Sequence, residues 1–131
     1  MNSFLSTVKK FLFPINNSLE PLNDNTQNGG IDMKKVSIQV TGLVQGVGFR
    51  YMTKLTADQI GVYGIVRNES DGSVYIEANG EPEKIDQFIE KIRNSPSPSG
   101  RVDSITIEEL TSIPNRDKFT ISNWKPYTNP V

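Results

Sequence analysis

An α+β fold is what the order of hydrophobic periods along this 131-residue chain predicts. Two-residue alternation and 3.6-residue periodicity succeed one another as strand, helix, strand, strand, helix, strand, with a short further strand near the end. The length suits one compact domain and is too short for two ordinary ones. Two helices covering one face of an antiparallel sheet satisfy this order, in the ferredoxin-like βαββαβ arrangement with a small additional terminal strand. The polar alternates of the strands then leave the opposite sheet face to solvent.

Each element has its own signal. In "VSIQV", Val36, Ile38 and Val40 alternate with Ser37 and Gln39, the pattern of a half-exposed strand that ends at Gly42. Phe49, Met52, Leu55, Thr56 and Ile60 recur at helical spacing through "FRYMTKLTADQI", and Gly61 supplies the stop. "VYGIVRN" and "SVYIEAN" read as an antiparallel pair joined through "ESDG", where Asp71 and Gly72 give a hairpin signal. Pro82 opens a second helix with Glu81 and Glu83 at its positive end, and Ile85, Phe88, Ile89 and Ile92 form its buried stripe. That helix stops before "SPSPSG". "RVDSITIEEL" and "DKFTISN" are strands separated by "TSIPNR".

Residues 1–33 differ in character from the rest of the chain and read as an N-terminal extension; 34–125 form the domain and 126–131 a tail. Within the extension, "NNSLEPLNDNTQNGG" has linker composition. Phe4, Leu5, Val8, Phe11 and Leu12 would share a face if the segment before Pro14 were helical. Residues 1–15 are then either a short membrane-surface or protein-docking helix or a frayed or docked terminus. No apolar run approaches membrane-spanning length, and Lys9 and Lys10 interrupt what a secretion signal would keep continuous, so a cytoplasmic protein is expected. Met33 precedes the first strand and is itself a possible start of the functional unit.

Composition narrows the chemistry. The formal net charge of −1 supplies no broad positive surface for nucleic acid. The absence of cysteine removes disulfides, thiolate metal sites and a thiol nucleophile; the absence of histidine removes the commonest metal ligand and the usual general base. What remains are carboxylates, basic side chains, amides, hydroxyls and the backbone. Against that background "TGLVQGVGFRY", Thr41 to Tyr51, stands out. It joins the first strand to the first helix and sets Arg50 beside the helix N-terminus. Glycines there let backbone N–H groups converge, the helix end adds positive potential, and Arg50 offers a bidentate fork to phosphate oxygens. The same glycines equally permit a plain tight crossover with Arg50 on the surface. The stretch lacks both the Gly-Lys-Ser/Thr ending of a nucleotide P-loop and the spacing of a dinucleotide turn, so neither ATP nor NAD is implied. Phe49 is in phase with the helix stripe and is expected in the core.

"GLVQGVGFR", Gly42 to Arg50, succeeded by "GIVRNESDGSVYIEANG", Gly64 to Gly80, resembles the paired signatures of the acylphosphatase family, in order and separation, across 34–124. The resemblance implies a ferredoxin-like fold and hydrolysis of the carboxyl-phosphate bond of acyl phosphates without metal, cofactor or covalent enzyme intermediate. It implies that Arg50 binds phosphate and that Asn68 orients the attacking water. Val44, Gln45, Gly46, Val47, Gly48 and Phe49 match the phosphate loop. Inorganic phosphate is the expected product, and a monomer the expected state. Ile65 departs from the aromatic usual after the glycine of the second motif, which bears on substrate packing or core shape.

The residues fit that chemistry on their own terms. Asn68 closes a strand that would return beside the first one, bringing its amide to the cradle; its bland reading is a turn or strand-edge amide. A carboxylate leaving group needs no strong enzymatic base, so positioning and preorganised electrostatics suffice. Asp58, Glu69 and Asp71 read as solvated charges, Lys54, Arg67 and Lys84 as solubilising ones, and Trp124 as terminal packing. The competing classes are a non-enzymatic RNA-binding sheet presenting Tyr63 and Tyr75, or a protein-maturation module.

Overall fold

The computed structural model describes residues 32–122, so the expectations for the extension, for Trp124 and for the tail lie outside the described residues. The elements run β1 (Lys34–Leu43), α1 (Phe49–Ile60), β2 (Tyr63–Asn68), β3 (Val74–Gly80), α2 (Pro82–Arg93), β4 (Arg101–Glu109) and β5 (Phe119–Ile121). They form one sheet in the order β4-β1-β3-β2-β5, antiparallel throughout except where β5 runs parallel to β2. This is the ferredoxin-like arrangement with a short extra edge strand.

Strand alternation decides what the helices cover. Register places Val40 beside Val74 and Asn68, Ile38 beside Ile76 and Val66, and Val36 beside Ala78 and Gly64. The apolar members of these rows are fully buried on the helix-covered face. Pro82 opens α2 with Glu83 in its first turn, and Ile85, Phe88, Ile89 and Ile92 are buried as its spacing predicts. The α1 stripe differs: Phe49, Thr53 and Ala57 are its buried residues, whereas Met52, Leu55, Thr56 and Ile60 are half-buried. Small side chains at the centre let a helix lie close to a sheet, and a reading weighted by hydrophobicity passes over them.

The open face is less open than alternation suggests. The connection from β4 to β5 crosses part of it: Leu110 N–H donates to Lys35 O at 2.9 Å, Lys35 Nζ to Ile113 O at 3.2 Å, and Asn79 exchanges hydrogen bonds with the Arg116 backbone. Ser37 and Asn79 are buried as a result. The next row holds Arg67 over the Tyr75 ring at 4.5 Å, while Tyr75 Oη donates to Glu77 at 2.9 Å. Burial, and then the bond to the Glu77 carboxylate, push the Tyr75 hydroxyl up to about 12.

β5 has only three residues, too few for its ladder to hold it alone. Phe119 anchors it: the ring is buried against Phe88 of α2, with centroids 5.8 Å apart and planes inclined by 59°. Phe119→Ala is expected to lower unfolding free energy by about 3–5 kcal/mol, read as a shift of the urea midpoint.

Candidate functional site

β1 and β2 are not neighbours; β3 lies between them. Asn68 therefore does not reach the glycine-rich loop by strand pairing with β1. The loop comes to it, because the chain leaving β1 must pass the end of β3 to begin α1, which packs over β2 and β5. Buried Val44 and Phe49 fix the two ends of the crossover in the core. Between them Gly46 and Gly48 adopt φ of 78° and 79°, a left-handed conformation that a side chain would strain although open space surrounds both.

Gln45 ties this loop to the β2–β3 turn. Its Nε2 donates to Glu69 O and to Ser73 O, each at 2.8 Å. The turn is itself organised by Asp71, whose carboxylate accepts from the Ser73 hydroxyl at 2.6 Å and from the Ser73 amide at 3.0 Å. Those two bonds, the hydroxyl first, hold the Asp71 carboxyl below its ordinary range. On the other side Ser97 Oγ donates to Val47 O at 2.6 Å.

A pocket of about 310 Å³ opens where these parts meet, lined by Val44, Gly46, Gly48, Phe49, Arg50, Tyr51, Asn68 and Ile121. Arg50 and Asn68 are thus brought to one cavity. Gln45 and Val47, expected in the phosphate loop, are not among its lining residues; the Gln45 side chain and the Val47 carbonyl tie the loop to its neighbours. The sequence does not single out Tyr51 or Ile121 for this place. Tyr51 adjoins the motif, but Ile121 reaches the site only because Val66 of β2 pairs with it, which no local pattern announces. Ile65 sits with Tyr63 and Arg67 on the other face of β2, in neither the pocket lining nor the buried core, so its departure from the family pattern lies away from both.

The electrostatics are those of an anion site. Gly48 caps α1 with no side-chain hydrogen bond, and no acidic residue lies in the first turn, leaving the amides and positive dipole end uncompensated by the protein. Arg67, Arg93, Arg101 and Arg116 each pair with a carboxylate. Arg50 pairs with none among the described residues; its Nη1 donates to Ser122 O at 3.4 Å. Asn68 Oδ1 and Thr53 Oγ1 are buried side-chain oxygens without a protein hydrogen-bond partner. Asn68 is also a lining residue of the pocket, and its Oδ1 is an acceptor that the protein leaves without a donor. Among the described residues no group of three or more His, Cys, Asp or Glu side chains is placed to hold a metal ion.

The family model for acylphosphatases matches residues 36–121. An acylphosphatase of Enterococcus faecalis is 51% identical over 89 residues, covering 68% of this chain and 98% of that protein. The crystal structure of acylphosphatase from Bacillus subtilis superposes with a TM-score of 0.65 at 37% identity, covering 68% of this chain and 98% of that one. Full-length HypF, in its phosphate- and nucleotide-bound form, aligns with a TM-score of 0.67 at 31% identity over 74% of this chain but only 13% of its own.

Gln45→Ala removes both bonds that hold the crossover to the turn. It is expected to cost about 1–3 kcal/mol of stability and to weaken inorganic phosphate binding, measured by urea unfolding and calorimetric titration.

Proposed function

This chain belongs to the acylphosphatase family and is a hydrolase, and we propose that it cleaves the carboxyl-phosphate bond of acyl phosphates with Arg50 and Asn68 as its catalytic residues. The observation that carries the assignment is the pairing in one pocket of an arginine free of carboxylates, among the described residues, with a buried asparagine oxygen free of protein partners. The Arg50 fork and the first-turn amides of α1 take the phosphoryl oxygens, with the backbone of 44–48 closing around them. Asn68 Oδ1 accepts a hydrogen bond from a water molecule and aims its oxygen at phosphorus, in line with the acyl oxygen.

Attack forms the water-oxygen to phosphorus bond as the phosphorus to acyl-oxygen bond breaks. The electron pair leaves on the carboxylate, and the water proton passes to a phosphoryl oxygen, giving inorganic phosphate. No lining side chain is a carboxylate, lysine or histidine, so the protein supplies position and charge, and the substrate takes the proton. The RNA-binding alternative loses one of its two aromatics: Tyr75 is covered by Arg67 and bonded to Glu77, so its ring is not offered to a base.

Phosphate release from benzoyl phosphate by metal-depleted protein, corrected for spontaneous hydrolysis, is the direct test. Asn68→Ala is expected to lower kcat by about 10²–10³-fold with little change in KM. Arg50→Ala is expected to lower kcat/KM by about 10³-fold or more. Absence of turnover in folded wild-type protein across several acyl groups would refute the assignment. With no carboxylate, lysine or histidine in the lining, kcat should be flat from about pH 6.5 to 8.5, falling only where the substrate phosphate itself protonates, near or below about pH 6.

A further inference from the structure

A phosphoryl group bound as proposed engages Arg50, Asn68 and the loop backbone, which leaves Tyr51 on the pocket wall without a task, beside Ile121, which also packs against the core. Val44 and Phe49, the other large lining side chains, are 1% exposed and belong to the core. Tyr51 is 58% exposed, and among the described residues its hydroxyl makes no hydrogen bond. It comes directly after Arg50 in the first turn of α1, so the helix fixes its backbone beside the pocket it lines, and a ring with two rotatable bonds loses little entropy on contact. Ile121, half-buried at the end of β5, adds apolar surface to the same cavity. Arg50 is the one charged residue of the lining, and the transferred phosphoryl group uses it.

We propose that Tyr51, backed by Ile121, is the contact for the acyl group, so that the pocket selects acyl phosphates with an uncharged apolar or aromatic acyl part over those whose acyl part carries a second anion. This rests on the hydrolase reading above and adds to it the choice of leaving carboxylate. An aromatic ring and an aliphatic side chain reward an apolar acyl group by contact and dispersion. A second anion would find no further cation in the lining and would lose hydration without a partner.

The test compares benzoyl, acetyl and succinyl phosphate with wild-type protein, Tyr51→Phe and Tyr51→Ala, each checked for folding by circular dichroism. In the wild type, kcat/KM is expected to fall from benzoyl to acetyl to succinyl phosphate. Tyr51→Ala should raise KM for benzoyl phosphate about three- to tenfold, with a much smaller effect on acetyl phosphate, collapsing the ratio between them. Tyr51→Phe should keep the wild-type ratio, because the ring and not the hydroxyl makes the contact. Turnover of all three substrates with a benzoyl-to-acetyl ratio unmoved by Tyr51→Ala, or with succinyl phosphate preferred, would overturn the role of Tyr51 while leaving the hydrolase intact. Failure of the wild type to turn over any of them would overturn both.

Discussion

The site depends on one topological constraint: β1 must hand the chain to α1 across the end of a strand that has not yet been made. With β3 seated between β1 and β2, the crossover cannot be a short strand-to-helix hinge beside β1. It must pass over a sheet end, with Val44 and Phe49 buried at its two ends and Gly46 and Gly48 exposed between them. A loop in that position keeps its polar groups satisfied by borrowing partners from neighbouring elements. Gln45 and Ser97 do the borrowing, through the β2–β3 turn and through the segment after α2. With the outer side of the loop held and both ends buried, its glycines are fixed in left-handed conformations, and the uncapped start of α1 is presented to a cavity instead of to bulk solvent.

The charge arrangement derives from the same geometry. A molecule with a net charge of −1 offers no general attraction for anions, so selectivity has to be local. Pairing every other arginine with a carboxylate suppresses competing cationic sites, and excluding carboxylates from the first turn of α1 preserves the local field. Arg50 held by one long bond to the Ser122 carbonyl keeps its remaining donors for a ligand without rebuilding the site. Preorganisation of this kind matters most in a reaction whose leaving group needs no acid, where little other than charge and alignment is left for the protein to supply.

Most of the framework is legible from alternation and punctuation, and the misses have physical causes. The α2 stripe, Pro82 and the β1 pattern are strong because hydrophobicity and geometry agree there. They disagree in α1: close approach to the sheet selects Thr53 and Ala57, residues that a hydrophobic count ranks below Met52 and Leu55. The motif brings Arg50 and Asn68 into view, but motif membership does not distinguish a residue that lines the pocket from one whose side chain ties the loop to its neighbours, as the Gln45 amide does. Asp71 reads in the sequence as a solvated charge, yet its carboxylate organises the turn that receives Gln45. Ile121 cannot be read locally at all, since its place comes from a parallel pairing between segments separated by most of the domain.

The two faces of β2 show why the departure at Ile65 lies apart from the pocket. Consecutive residues of a strand point to opposite sides, so Val66 and Asn68 belong to the helix-covered face and Ile65 and Arg67 to the other. On that other face the neighbours are Tyr75 and Glu77, which with Arg67 and Arg116 form a network of hydrogen bonds, an ion pair and a cation–ring contact. Exchanging an aromatic for isoleucine there alters cross-strand packing, while the sheet backbone insulates the cavity from the change. The position adjacent in sequence to the motif glycine Gly64 therefore lies outside the pocket lining, and Tyr51, outside the matched loop, lies within it. Distance from reacting atoms in this fold is set by strand parity and by which sheet end a loop crosses, not by proximity to a motif.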